Sequence, residues 1–359
     1  MSTTSLPFHP SPLIRHNLSQ TIFSVKKPRH VDWILSQEQP ILLDAGEDVT
    51  GYNTSEPVRL LAYYTSAAGL KTSPDQVHPY HSNKSRGLVL MLHGWQGCSH
   101  STYNLVTTDA LIQAGYDVMR LNLRDHGPNL HLSAHRLNVG VFFGTLIQEA
   151  IVATQRIAEM TGERPFYIVG PSMGGNFALR LAIAHNQTPF HNLRHIVAIS
   201  PAVDPASATD ALDSKRIYRS YFRQRWLQSL REKIKYFPQY FNIMQGIEQF
   251  PTVREMTEWV IPQMTQYSSA DEYFASYAVH PTDVPAIQIP TTIVTSRDDQ
   301  VIPVKDIEDF PVNPALQVHI LDYGGHVGFV DLFPFRHCLP EIILSVIAET
   351  PHPNSLPSV

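Results

Sequence analysis

Residues 170–174 read Gly-Pro-Ser-Met-Gly, directly after the β-forming run PFYIV (165–169) and directly before the helix-like run NFALRLAIAH (176–185). A strand that becomes a helix within so few residues brings the two elements into contact on either side of the turn. Only residues without side chains fit two before and two after the apex, and Gly170 and Gly174 stand there. The apex residue is forced into a strained backbone conformation with its side chain thrust out at the tip. With Ser172 at the apex, this is a G-x-S-x-G nucleophile elbow in its strand-turn-helix context. A serine hydroxyl is a poor nucleophile at its own pKa. It needs an adjacent general base, itself oriented by a third group.

The partners are expected in the order serine, acid, histidine, each just past the C-terminal end of a later strand. Asp298 and Asp299 follow the strand-like run TTIVTSR, and the residues alone leave both open as the acid. His326 follows VHILDYGG, where two glycines free the loop before it. Taken singly, these could be a turn serine, a helix cap and a loop imidazole; their joint order argues for a triad. The developing oxyanion also needs preorganised N–H donors. The Met173 N–H, directly after the nucleophile, is one candidate. The Trp95 N–H is the other, in the loop LHGWQGCSH, where His93-Gly94 permits a sharp turn. The Trp95 indole is expected as a wall of an acyl pocket, and the His93 side chain as a brace of its loop.

Short apolar runs alternate with helical patterns around these residues. GLVLMLHG (87–94), DVMRLNLR (117–124), the elbow strand and HIVAISP (195–201) read as strands. Residues 101–116, 139–162 and 176–185 read as the helices between them, with Phe143, Leu146, Ala150, Ala153 and Ile157 as the apolar stripe of the second. Strict alternation implies right-handed crossovers and a parallel sheet covered on both faces. Upstream, residues 39–49 and 58–67 read as an antiparallel pair. Two further strands (289–299 and 316–326) and a last helix (341–349) follow a gap of helical pattern. The expected organisation is a core of residues 1–201 and 286–359 with a helical cap at 202–285.

Within that cap, residues 215–237 mix aromatic and basic side chains. One reading is a solvated outer face over an apolar inner one. In the other, Tyr218, Tyr221, Phe222 and Trp226 line an acyl tunnel or touch lipid. Arg124 and Asp125 are expected to pair and hold the loop after the fourth strand. His126, His131 and His135 cluster in RDHGPNLHLSAH, but no carboxylate or thiolate at matched spacing accompanies them, so no metal is expected. No phosphate-binding glycine motif stands beside a strand, and no cofactor is expected.

Composition agrees with a large α/β domain. The chain has 359 residues, 43% hydrophobic and 16% charged, with a formal net charge of −5. That balance gives no reason to expect nucleic acid as a partner. The two cysteines, Cys98 and Cys338, make a disulfide framework unexpected and suit a reducing compartment. With neither a signal-like nor a membrane-spanning run, a cytoplasmic protein acting on a small-molecule ester is the expectation. Residues 1–12 and 351–359 are rich in proline and expected to be loosely ordered.

HGWQG, NLRDHG, GPSMGGN, a D-D-x-V-x-P segment and GGHVGF together resemble the YheT-like branch of the α/β-hydrolase superfamily. That branch takes in bacterial predicted hydrolases and fungal medium-chain ester synthase/esterases. The likeness extends over roughly residues 12–349, since LIRHNLSQTIF resembles the branch's opening segment. It implies an α/β-hydrolase fold with a mostly parallel eight-stranded sheet, helices on both faces, and a helical cap between the sixth and seventh strands. The family's nucleophile, acid and base fall on Ser172, Asp298 and His326. HGWQG stands where many relatives carry a leucine-glutamate pair, and RDHG where an arginine-glycine turn is usual. The resemblance implies hydrolysis of short- to medium-chain carboxylic esters through an acyl-enzyme. The alternatives are acyl transfer to an alcohol by the same triad, or a non-catalytic binding scaffold.

Overall fold

The computed structural model describes residues 6–50, 56–70, 85–128 and 132–349. Eight strands form one sheet: β1 (Gln39–Asp44), β2 (Arg59–Thr65), β3 (Leu88–Met91), β4 (Asp117–Leu121), β5 (Phe166–Pro171), β6 (Leu193–Ile199), β7 (Thr291–Ser296) and β8 (Leu316–Leu321). Their order across the sheet is β1-β2-β4-β3-β5-β6-β7-β8. β1 and β2 pair antiparallel, as do β2 and β4, and every later pairing is parallel. This is the α/β-hydrolase fold.

The helices are α1 (Asn17–Ser24), α2 (Asp32–Gln37), α3 (Thr102–Gln113), α4 (Ile147–Glu159), α5 (Met173–Ala184), α6 (Pro205–Ser214), α7 (Arg216–Tyr236), α8 (Phe241–Ile247), α9 (Val253–Met264), α10 (Ala270–Ala275), α11 (Lys305–Glu308) and α12 (Leu339–Glu349). The two central strands, β3 and β5, are continuous runs of buried, mostly apolar residues because both faces are covered. Side chains alternate across the sheet, and the core splits accordingly. Leu88 and Leu90 of β3, and Phe166 and Ile168 of β5, pack with Ala150 and Ile157 of α4 and Phe177 and Leu181 of α5. Val89, Met91, Tyr167 and Val169 pack on the other face with Leu111 of α3 and Ile342 and Ile343 of α12. Helices α6 to α10 lie between β6 and β7 and form the cap. A small antiparallel pair, β9 (Val330–Asp331) with β10 (Arg336–His337), follows β8.

Three expectations are corrected. The helix read from residue 139 begins only at Ile147. In the preceding stretch, the Phe142 N–H donates to Oδ2 of Asp125 (3.0 Å) and the Gly144 N–H to the hydroxyl of Tyr273 (2.8 Å). Val141, Phe143 and Leu146 are buried, but against Leu227, Leu230, Met256 and Val260 of the cap, not against the sheet. Apolar spacing marks burial without naming the partner. The proline-rich start is ordered from residue 6: Leu6 and Phe8 are buried, and the Ser11 N–H donates to Asp331 (2.8 Å). Residues 1–5 and 351–359 lie outside the described residues. Arg124 pairs with Glu149 and Asp48 rather than with Asp125, whose carboxylate is taken by Lys233 of α7 (2.8 Å).

Candidate active site

Ser172 joins β5 to α5 with φ +54° and ψ −120°, a conformation that L residues seldom adopt. The glycines around it are required by contact. A Cβ on Gly170 would stand 2.1 Å from the carbonyl oxygen of Gly174, and one on Gly174 would stand 2.8 Å from that of His93. The elbow therefore presses directly on the loop after β3.

His326 arrives from the loop after β8. Its Nε2 lies 3.0 Å from Oγ of Ser172, and its Nδ1 lies 3.0 Å from Oδ2 of Asp299. The expected acid, Asp298, is elsewhere: its Oδ1 accepts the Gly325 N–H at 2.9 Å, so it holds the backbone of the histidine loop rather than the ring. Strand alternation does not decide between the two, because β7 ends at Ser296 and both carboxylates sit in the turn beyond it. That turn closes on Asp299, whose Oδ1 accepts the N–H groups of Val301 (2.8 Å) and Ile302 (3.0 Å), leaving Oδ2 for the imidazole. Burial pushes the Asp298 carboxyl up from its ordinary pKa, and its Oδ2 has no partner among the described residues.

Among the described residues, neither the Met173 N–H nor the Trp95 N–H has an acceptor. One stands at the first turn of α5, and the other in the loop after β3. His93 braces this loop, with Nδ1 2.9 Å from the Gly94 carbonyl and Nε2 accepting the Leu123 N–H at 3.0 Å. Burial drives its pKa down to about 4. The neutral ring is the one that can make both bonds.

A cavity opens over Ser172. Trp95, Met173, Phe222 and Trp226 line it together with the stretch 141–144. The Trp95 ring stacks on Phe222 (5.5 Å, 6°) and meets Trp226 edge-on (5.5 Å, 70°). Tyr218 and Tyr221 are not part of the lining: Tyr218 packs with Val301 and Ile302, and Tyr221 is exposed. Of the histidine cluster, His131 lies outside the described residues, and His135 Nε2 meets Oγ of Ser229 at 2.8 Å.

Several site-forming residues escaped sequence reasoning. Oγ1 of Thr21 accepts the His326 N–H (2.9 Å), and Gln20 bonds to both Ile14 and Val330, so α1 fixes the histidine loop. Nothing local marks these residues, because the partners that tie them to His326 and Val330 are some 300 positions away. Asn176 donates to the carbonyls of Ala202 and Tyr277, tying α5 to the base of the cap (3.0 Å each). For the stretch 139–146, the glycines at 140 and 144 were the available signal against a helix.

This architecture has known counterparts. Human phospholipase ABHD3 is 23% identical over 258 residues, covering 70% of this chain and 61% of that protein. Its bovine counterpart is 23% identical over 264 residues, 72% of this chain and 62% of the relative. The chain thus spans about three-fifths of the length of these relatives. Among solved structures, the Pyrococcus furiosus esterase Pf2001 superposes with a TM-score of 0.51 at 14% identity, over 90% of this chain and 99% of that one. At that identity the likeness shows the fold. The family model described as serine aminopeptidase, S33 (Hydrolase_4) matches residues 83–326, from just before β3 through His326 and across Ser172 and Asp299. With more than half of its length matched, the chain belongs to the serine aminopeptidase, S33 family of α/β-hydrolases.

Proposed function

We propose that the protein is a serine-dependent carboxylic ester hydrolase that works through a covalent acyl-enzyme. The observation that carries this reading is the unbroken relay of 3.0 Å contacts from Asp299 through His326 to Ser172, opening into a cavity walled by Trp95, Phe222 and Trp226. Ser172 Oγ attacks the ester carbonyl as His326 Nε2 takes its proton. Asp299 holds the other ring nitrogen protonated and stabilises the imidazolium. The Met173 and Trp95 N–H groups receive the oxyanion. The alcohol leaves with the proton from His326, and water, activated by the same nitrogen, releases the acid.

An ester fits this cavity better than a peptide with a free α-amino group. Among the described residues the only carboxylate lining the cavity is Asp125, already neutralised by Lys233. A substrate ammonium would find no free counter-charge there. The aromatic wall suits an acyl chain of short to medium length, each buried methylene contributing about 0.8 kcal/mol until the space ends. A panel of p-nitrophenyl esters from acetate to palmitate, with fluorophosphonate labelling, tests the reading. Wild type should label at Ser172 and favour short to medium chains, Ser172→Ala should lose turnover by about 10⁴-fold or more, and Phe222→Ala or Trp226→Ala should shift the preferred length. A Ser172→Ala variant with normal turnover, beside a wild type that resists the probe, would sink it. Adding an alcohol to the same assay separates hydrolysis from acyl transfer.

A further inference from the structure

The Trp95 N–H can serve an oxyanion only if its peptide plane is held in one orientation. Three successive peptide groups around it are pinned, each by a different side chain. The first, joining Gly94 to Trp95, is gripped at its carbonyl oxygen by Nδ1 of His93 (2.9 Å) and by the Gly97 N–H (2.9 Å). Because the peptide is planar and trans, fixing that oxygen aims the Trp95 N–H to the opposite side. The second, joining Trp95 to Gln96, donates its N–H to Nε2 of His126 (3.3 Å). The third offers the Gln96 carbonyl to Nη2 of Arg225 (3.1 Å).

Gln96 itself has φ +60°, a left-handed conformation that needs such support in a residue with a side chain. His126 is suited to hold it. Its Nδ1 lies 2.7 Å from the Arg124 carbonyl, its ring lies against His93 (4.7 Å), and Phe142 meets it edge-on (4.8 Å). One ring nitrogen donates and the other accepts, which defines the neutral tautomer. Arg225 differs in origin: it belongs to α7, in the cap, and stands on that helix's exposed side. The Gln96 side chain adds to the same joint. In the orientation that satisfies both ends of its amide, its nitrogen donates to the Arg225 carbonyl (3.2 Å) and its oxygen accepts the Trp95 indole N–H (3.3 Å).

We infer that Gln96 is the joint through which the cap sets the oxyanion hole, with His126 and Arg225 as positioning residues gripping it from the core and from the cap. The inference rests on the ester-hydrolase reading above and deepens it. The cap is then more than a wall for the acyl chain: a cap displaced from the loop would release the third peptide and loosen the oxyanion donor, leaving Ser172, His326 and Asp299 in place.

The test uses the full chain, a p-nitrophenyl ester and a trifluoromethyl ketone, whose adduct with Ser172 places an oxyanion in the hole. Arg225→Met removes the donor while keeping the stem, and its exposure makes the fold safe. Expected is a fall in kcat of about tenfold with KM within about twofold, and a matching loss of ketone affinity. Arg225→Lys should recover part of both. His126→Phe, which keeps a ring but no acceptor, should cost about 10²-fold in kcat; if it fails to fold, Arg225 alone decides. A KM that rises while kcat and ketone affinity stay at wild-type values would overturn the inference and leave the ester-hydrolase reading standing. A wild type that neither turns over esters nor labels with fluorophosphonate overturns both.

Discussion

Replacing Asp299 by asparagine tests the arrangement at its most specific point. The Asp299 side chain is wholly buried, and its Oδ2 is 3.0 Å from Nδ1 of His326. Asparagine keeps an oxygen for the N–H groups of Val301 and Ile302, so the turn should survive. Its amide nitrogen would then face Nδ1, which becomes an acceptor. The ring proton moves to Nε2, where it faces Ser172 Oγ and can no longer receive the serine proton. The charge is lost as well. A unit pair at about 4 Å in a medium of effective dielectric about 20 is worth about 4 kcal/mol, or roughly 10³ in rate. With the tautomer penalty added, kcat should fall by about 10³–10⁴. Asp298→Asn is the control. An oxygen can still accept the Gly325 N–H, and the new NH₂ falls where Oδ2 is already buried without a partner among the described residues. Because burial already disfavours the charge and leaves that oxygen unpartnered, the substitution should change stability by no more than about 1 kcal/mol, with kcat within about tenfold of wild type. Both variants are assayed on p-nitrophenyl butyrate after thermal unfolding has verified the fold. A larger kcat loss at Asp298 than at Asp299 would refute the assignment.

Two further outcomes follow from buried groups near the site. Lys233 spends its ammonium on Asp125 (2.8 Å) and on the carbonyls of Asn138 (2.6 Å) and Gly140 (2.8 Å), so Lys233→Met should destabilise by about 3–5 kcal/mol, and adding Asp125→Asn should restore part of it; an unchanged urea midpoint in the single variant contradicts this. The depressed pKa of His93, about 4, means the unfolded chain takes up a proton that the folded chain refuses, so His93 stabilises the fold above about pH 6.5 and that contribution drains away towards pH 4. An NMR titration of the His93 ring should centre near 4, and a midpoint of about 6 or higher would show that the brace does not hold the neutral form.

Much of this architecture is legible in the sequence alone. The elbow is a local event: a strand, two glycines at fixed offsets and a helix force the serine into place whatever lies around it, and the φ of +54° at Ser172 is the outcome. The sheet was readable because strands covered on both faces are mostly apolar, as β3 and β5 at its centre are. His326 could be located because its loop follows β8 and carries two glycines. These features depend on backbone sterics and periodicity, which act between near neighbours in the chain.

What escaped the sequence shares a different character. Asp298 and Asp299 are chemically identical and adjacent; the turn that puts one on the ring is closed by the N–H groups of Val301 and Ile302. Phe143 and Leu146 carry the spacing of a helix, yet their burial is against the cap, through contacts made only once α7 and α9 are folded over them. Thr21 and Arg225 look like ordinary surface residues until α1 meets the histidine loop and α7 meets the Gln96 carbonyl. A hydrogen bond between groups hundreds of residues apart leaves no mark in either local sequence, because any residue with the right donor or acceptor could have filled the place. Tertiary packing alone chose which one did.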